Sequence, residues 1–266
     1  MTEFICPVCR QRLTRENNSY VCPSHHTFDI AKSGYINLLT ASKMNSKTPG
    51  DSKEMVAARR DFLDRGYYAP LREALKEEAC SLGAEVYFDA GCGTGYYSSF
   101  VAKALGCRCL GVDISKFATD IAAKRDKDSL FAVASVYDLP LEDESVDLIT
   151  NVFSPMADIE YKRVLKSGGH LLYVVPGPRH LYSLKEILYS EPYENEVSYP
   201  KYDGFEEIKR VECSFGMRLT SADDIEHLFS MTPYFWRTPA GALEKIRSLD
   251  SLDTDAEFYI IVLRKI

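Results

Sequence analysis

From about residue 85 onward, short apolar runs alternate with segments of helical period. Val86-Tyr87-Phe88, Arg108 to Val112, Leu130 to Ala134, Val146 to Thr150 and His170 to Val175 read as strands. Tyr96 to Leu105, Ser115 to Ala123 and Asp158 to Leu165 read as the helices between them, with Ser115 as a side-chain cap. Strands separated by helices predict parallel pairing through right-handed crossovers, an α/β doubly wound sheet. Val211 to Met217 and Glu257 to Leu263 predict a closing antiparallel pair, with a helix over Ala222 to Phe229 between them. Upstream, Met55, Val56, Ala58, Phe62 and Leu63 predict a helix over residues 53–64, and a second helix follows Pro70, from Leu71 to Ala79, ending near Gly83. The polar stretch 40–54, with its Pro49-Gly50 turn signal, reads as a linker or mobile loop. Residues 1–35 are short apolar pieces around Cys and His. The predicted organisation is a small zinc-binding domain over 1–36, a linker with helices over 37–84, and the sheet domain over 85–266.

Composition narrows the class without naming a chemistry. The chain has 266 residues, 45% hydrophobic and 27% charged, which excludes collagen-like, coiled-coil and wholly disordered readings. No run approaches the roughly 18–20 apolar residues that span a bilayer, so no membrane partner is expected. The start, Met1 to Cys6, lacks a basic region followed by an apolar one, so the expected location is cytoplasmic. The net charge of −7 speaks against a nucleic-acid partner until its distribution is read. Residues 1–65 carry ten Lys/Arg against seven Asp/Glu, or +3, and residues 66–266 carry 22 against 32, or −10. Because screening acts over about 8–10 Å, a locally basic front end can still hold phosphates.

Three of the eight cysteines crowd the first 22 residues. In a cytosolic chain that clustering points to metal rather than to disulfides. Cys6-x2-Cys9, then Cys22-x3-His26, supplies four N/S ligands at zinc spacing, with Pro7 and Pro23 stiffening the knuckles. His25 is the rival of His26. Four protein ligands leave no position for water, so the Zn2+ is structural. A front end this poor in large apolar groups needs such a staple.

Asp89-Ala-Gly91-Cys-Gly93-Thr-Gly95 follows a strand and opens a helix. Glycines there let the backbone approach a ligand, and the helix amides face it. A dinucleotide pattern would need glycine where Tyr96 stands. Asp89 at the strand end suits a cationic ammonium and would repel a pyrophosphate. Asp113 ends the next strand, 18 residues beyond Gly95, where a ribose diol would be gripped, and Ala134-Ser135 ends the third, where an adenine edge would lie. Two acids without the dinucleotide pattern resemble the class I S-adenosylmethionine-dependent methyltransferase fold, a Rossmann-like doubly wound sheet.

The zinc knuckle ahead of that loop resembles the RlmA family of 23S ribosomal RNA (guanine-N1)-methyltransferases, nearly end to end. The stretches that carry the likeness are Cys6-Pro-x-Cys9; Asn18 to Pro23; Phe28-Asp29-x-Ala31-Lys32-x-Gly34-Tyr35-x-Asn37-Leu38-Leu39; Pro49-Gly50-Asp51-Ser52-x-Glu54-Met55 with Ala58-Arg59-Arg60; Gly91 to Tyr97; and Pro176-Gly177-Pro178-Arg179-His180-Leu181. The resemblance implies transfer of a methyl group from S-adenosylmethionine to N1 of a guanine in a 23S rRNA hairpin loop, a zinc domain that helps grip the hairpin, and a homodimer. In one subgroup of the family the modification bears on macrolide-type antibiotic resistance. It also places cofactor contacts on Gly93, Thr94, Tyr68 and His180.

Guanine N1 carries a proton at neutral pH, so a group must accept it or stabilise the anion at O6. Asn151 and Ser154-Pro155 near the fourth strand's end, and Arg179 and His180 near the fifth's, are the candidates. Lys32, Lys43, Lys47, Lys53, Arg59 and Arg60 fall in the only net-positive region and are the expected phosphate contacts. Reversal of Arg59 and Arg60 to Glu is accordingly expected to weaken RNA binding and leave cofactor affinity unchanged. Two other readings compete: a small-molecule methyltransferase whose zinc serves folding alone, and a non-catalytic RNA-binding module.

Overall fold

The computed structural model of the chain describes residues 4–40, 49–196, 202–237 and 241–266. β1 (Thr14–Glu16), β2 (Ser19–Val21) and β3 (Thr27–Asp29) form a three-stranded antiparallel ribbon. Tyr20 at its centre is buried and, with Phe4 and Leu13, joins the core of the larger unit. The chain leaves the ribbon as β4 (Ile36–Asn37), which pairs in parallel with Ala132 and Val133 of the large sheet. The domain boundary expected after residue 36 therefore falls inside a strand that the two units share.

α1 (Lys53–Asp64) has the predicted ends, because Ser52 caps it by accepting the Met55 amide at 3.3 Å. α2 (Ala69–Leu82) starts before the predicted Leu71, since Pro70 is tolerated in a first turn that needs no amide; Gly83 stops it. There follow β5 (Tyr87–Ala90), α3 (Ser98–Leu105), β6 (Cys109–Asp113), α4 (Lys116–Arg125), β7 (Leu130–Val133), β8 (Val146–Val152), α5 (Asp158–Val164), β9 (Leu165–Pro176), α6 (Tyr182–Leu188), β10 (Phe205–Leu219), α7 (Ala222–Ser230), α8 (Tyr234–Arg237), α9 (Ala242–Arg247) and β11 (Leu252–Lys265). The eight-stranded sheet has the order β10-β11-β9-β8-β5-β6-β7-β4. β11 pairs antiparallel with β10 and β9, and the remaining neighbours are parallel.

The central strands are buried on both faces, which is why they read as unbroken apolar runs. Tyr87 and Phe88 are both fully buried and point to opposite cores, Tyr87 toward the side of α2 and α3, Phe88 toward the side that carries the ribbon. The ribbon is fastened to the segment Leu139-Pro140-Leu141. Ile5 donates to the Pro140 carbonyl at 2.8 Å, and Arg10 donates to the carbonyls of Leu139 and Leu141 at 3.0 and 3.2 Å. Arg163 of α5 donates to the same two carbonyls, at 3.0 and 2.8 Å. No helix among the described residues is long and apolar enough to cross a membrane.

Candidate active site and zinc centre

The ligand atoms of Cys6, Cys9, Cys22 and His26 lie within 4.8 Å of one another. His26 Nδ1 sits 3.3 Å from Cys22 Sγ and 3.6 Å from Cys6 Sγ. The ring nitrogen gathered with the three thiols is that of His26 and not of His25, which takes a left-handed turn conformation (φ 62°). The set suits one tetrahedral Zn2+ with no position left for water. All three thiols are free. Cys9 is already pushed down to about 6, first by its hydrogen bond from the Gln11 backbone.

At the carboxyl ends of the parallel strands lies a cavity of about 1260 Å3. One half is built by the glycine loop. Gly91 (φ 81°) passes so close to Ser154 that a Cβ would lie 2.5 Å from the serine's own Cβ. Gly93 (φ 52°) faces open space within the cavity. The loop is held from behind by Arg125 at the end of α4, which donates to the Thr94 carbonyl at 3.0 Å. The buried Thr94 hydroxyl lines the cavity and has no hydrogen-bond partner among the described residues.

Two acids flank this loop. Asp89 is buried and accepts from the hydroxyls of Ser98 and Thr150, the latter at 2.8 Å, with Tyr87 hydroxyl 2.7 Å from Thr150 behind it. Burial pushes Asp89 up to about 6, against the pull of those two hydroxyls. Asp113 accepts the amides of Gly93 and Ser115 at 2.9 and 2.7 Å, and burial pushes it up as well. Asp113 therefore spans the first two turns after β5 and β6. The Ser115 side chain does not cap α4 as expected; it donates instead to the Asp51 carbonyl at 3.1 Å. Ser135 lines the same wall beyond β7.

Tyr68 and His180 close the cavity from the other side. Tyr68 is buried against Phe62, Phe215 and Phe258, with ring centroids 5.2, 6.3 and 5.1 Å away, and His180 lies 6.4 Å from it. His180 is pushed down to about 3, by burial first and then by the charge of Lys185. Its Nδ1 accepts the Glu257 amide at 3.3 Å, so the proton of the neutral ring sits on Nε2. This geometry makes His180 a hydrogen-bond donor.

Of the other catalytic candidates, Ser154 and Pro155 line the cavity, whereas Asn151 and Arg179 do not. Asn151 is fully buried; it accepts the Ser154 amide at 3.1 Å and donates to the Pro155 carbonyl at 3.0 Å and to Tyr161 hydroxyl at 2.8 Å. It shapes the turn after β8, with both of its amide protons already donated. Arg179 bonds Glu194 at 2.8 Å and lies over the Tyr182 ring. The expected basic face is also divided. Lys32 and Lys53 are exposed, and Arg60 bonds Asp61 at 2.7 Å. Arg59 bonds Asp51 and turns into the cavity, while Lys43 and Lys47 lie outside the described residues.

Several lining residues went unnoticed in the sequence. Gly50 and Asp51, in a stretch that reads as a linker, form part of the cavity wall, and so does Met55 of α1. Tyr137, Phe153, Tyr173 and Tyr202 give the half away from the glycine loop an aromatic lining. Phe153 holds a left-handed backbone conformation (φ 58°) and is 47% exposed, an arrangement that packing alone does not call for.

A family model described as "RlmA, N-terminal" matches residues 4–47, and one described as "Methyltransferase domain" matches residues 88–173. A solved geranyl diphosphate methyltransferase bound to S-adenosylmethionine shares the fold at a TM-score of 0.50 and 19% identity, over 83% of this chain and 93% of that one. Fold and site together define a class I S-adenosylmethionine-dependent methyltransferase with an amino-terminal zinc ribbon. The 23S rRNA (guanine(748)-N(1))-methyltransferase of Streptomyces fradiae is 39% identical over 69% of the chain and 66% of its own length. A protein of Micromonospora griseorubida provisionally named 23S rRNA (guanine-N(1)-)-methyltransferase is 37% identical, over 69% of the chain and 68% of its length. The chain belongs to the RlmA family of 23S rRNA (guanine-N1)-methyltransferases.

Proposed function

We propose that this chain transfers the methyl group of S-adenosylmethionine to N1 of a guanine in a hairpin loop of 23S rRNA. The observation that carries the proposal is one cavity with two unlike halves. A glycine loop between buried acids forms one, and an aromatic chamber forms the other. Pockets for a single small ligand run to about 300–1000 Å3, so 1260 Å3 leaves room beside the cofactor for a nucleobase. A base swung out of a hairpin loop reaches such a chamber at lower cost than one drawn from a duplex.

The cofactor supplies an electrophilic sulfonium methyl. Asp89 meets its ammonium, Gly93 and Thr94 face it along the loop, and Asp113 takes the ribose diol, its orientation fixed by two backbone amides. Ser135 borders the adenine. Tyr68 covers the cofactor as an aromatic lid, and His180 donates from Nε2. Phe153, Tyr173 and Tyr202 hold the guanine plane, and Asn151 fixes the turn that follows Phe153 by bonding Ser154, Pro155 and Tyr161. These residues keep nucleophile and donor in line and exclude water. Phosphates meet Lys32, Lys53 and Arg60, with Lys43 and Lys47 beside them in sequence. A homodimer and any bearing on macrolide-type resistance come with the family reading and rest on it alone.

Two outcomes follow for binding. With Asp89 at about 6 in the free chain, the carboxylate that an ammonium needs is complete above about pH 7 and is lost as pH falls. Cofactor affinity measured by calorimetry is expected to fall about tenfold per pH unit below 6, and Asp89→Asn to flatten that dependence. Because Arg59 lines the cavity, Arg59→Glu is now expected to weaken cofactor binding about tenfold, whereas Arg60→Glu leaves it unchanged and weakens RNA binding. Equal effects of both reversals on the cofactor would contradict this division.

Tritium transfer from labelled S-adenosylmethionine tests the assignment. Label entering protein-free 23S rRNA supports it. Label entering a metabolite pool instead favours the small-molecule reading.

A further inference from the structure

Lys185 of α6 has no solvent exposure. Among the described residues no carboxylate forms an ion pair with it, and Glu194, the acid that feels its charge, bonds Arg179. The Lys185 ammonium donates to the Tyr193 carbonyl at 2.9 Å and to Asn195 Oδ1 at 2.7 Å, and lies 4.6 Å from the centre of the Tyr193 ring. Asn195 passes the attachment on. Its Nδ2 donates to the Gly177 carbonyl and its backbone amide to the Pro178 carbonyl, both at 2.8 Å. Tyr193 to Asn195 line the cavity without belonging to any helix or strand, and His180 follows Pro178 by two residues.

A buried ammonium lacking a carboxylate is an expensive choice for filling space. Removing its charge from water is costly, and burial pushes the lysine pKa down. Methionine would fill the same channel without that penalty. What it could not do is bond the carbonyl and amide of an irregular segment.

We propose that Lys185 is a positioning residue for methyl transfer. It locks residues 193–195 as the wall of the target-base chamber and ties that wall to the loop bearing His180. The proposal deepens the RNA reading above and rests on it for the identity of the base.

The test uses zinc-loaded full-length Lys185→Met. Its thermal midpoint is expected to hold or rise, while the Asn195 amide exchanges with deuterium about tenfold faster or more. kcat/KM for the RNA hairpin is expected to fall about tenfold, with cofactor affinity within about threefold of the parent. Asn195→Ala, at a half-buried position outside the core, is expected to reproduce both effects, and the double variant to be no worse than the worse single one. Parental exchange and parental kcat/KM in either variant overturn the proposal. So does a Lys185→Met loss that merely tracks a lower thermal midpoint while Asn195→Ala behaves as the parent. Deuterium exchange needs no RNA, so a parent chain inactive on RNA would refute the substrate assignment and leave the lock to be decided by exchange.

Discussion

Stripping the zinc, or replacing Cys22 by serine, is expected to reduce methyl transfer to RNA about 100-fold or more while cofactor affinity falls no more than about tenfold. The ribbon's three strands have three residues each, too little to fold unaided. Its four ligand atoms, gathered within 4.8 Å, supply what the core cannot, since structural zinc contributes about 10–16 kcal/mol of folding free energy in isolated fingers. Metal loss releases the ribbon from Leu139 to Leu141 and frays β4 from the edge of the sheet. The glycine loop follows β5, which is paired with both β6 and β8, so it keeps its shape. Metal content, cofactor calorimetry and RNA methylation measured on one preparation decide the matter. Full RNA methylation by a metal-free chain would remove the ribbon from the account.

The second large effect separates two neighbouring glycines. Gly91→Ala places a Cβ 2.5 Å from the Ser154 Cβ at a φ of 81°, so the loop or the turn after β8 must move. A left-handed non-glycine residue alone costs about 1–2 kcal/mol, and the collision adds to it. Both halves of the cavity meet at that contact. Gly91→Ala is expected to lower the thermal midpoint by about 5 °C or more and to weaken cofactor binding about 100-fold. Gly93→Ala differs: among the described residues nothing lies within 4 Å of the added Cβ, which enters the space proposed for the cofactor. It is expected to weaken binding about tenfold and to shift the midpoint by much less than Gly91→Ala does. Thermal unfolding and calorimetry on the pair give the comparison. Equal midpoints would show that the Gly91–Ser154 approach is not a constraint.

Much of this architecture was legible in residue patterns. The parallel strands show as apolar runs because both faces are buried, and the apolar positions of α1 predict the ends that Ser52 fixes by capping it. Cysteine spacing points to the zinc ligands, although only the placement of the His26 ring beside the thiols decides for His26 over His25. The misses share a cause. β4 has two residues and no pattern of its own, and exists because the sheet edge offers it partners. Gly50-Asp51 reads as a linker, being polar, yet is held against Ile114 and Ser115 by contacts distant in sequence. Asn151 has the composition of a catalytic group; its three hydrogen bonds make it a structural one. Arg59 and Arg60 count equally as charge, while the turn of α1 sends only the first into the cavity.

The central claim is that guanine N1 in a ribosomal hairpin receives the methyl group. Protein-free 23S rRNA treated with the zinc-loaded chain and S-adenosylmethionine, then digested to nucleosides for mass spectrometry, tests it most directly. The account predicts about one equivalent of 1-methylguanosine per RNA and a single new reverse-transcription stop in a hairpin loop. A digest with no 1-methylguanosine, or with the methyl group on another base or position, would contradict it.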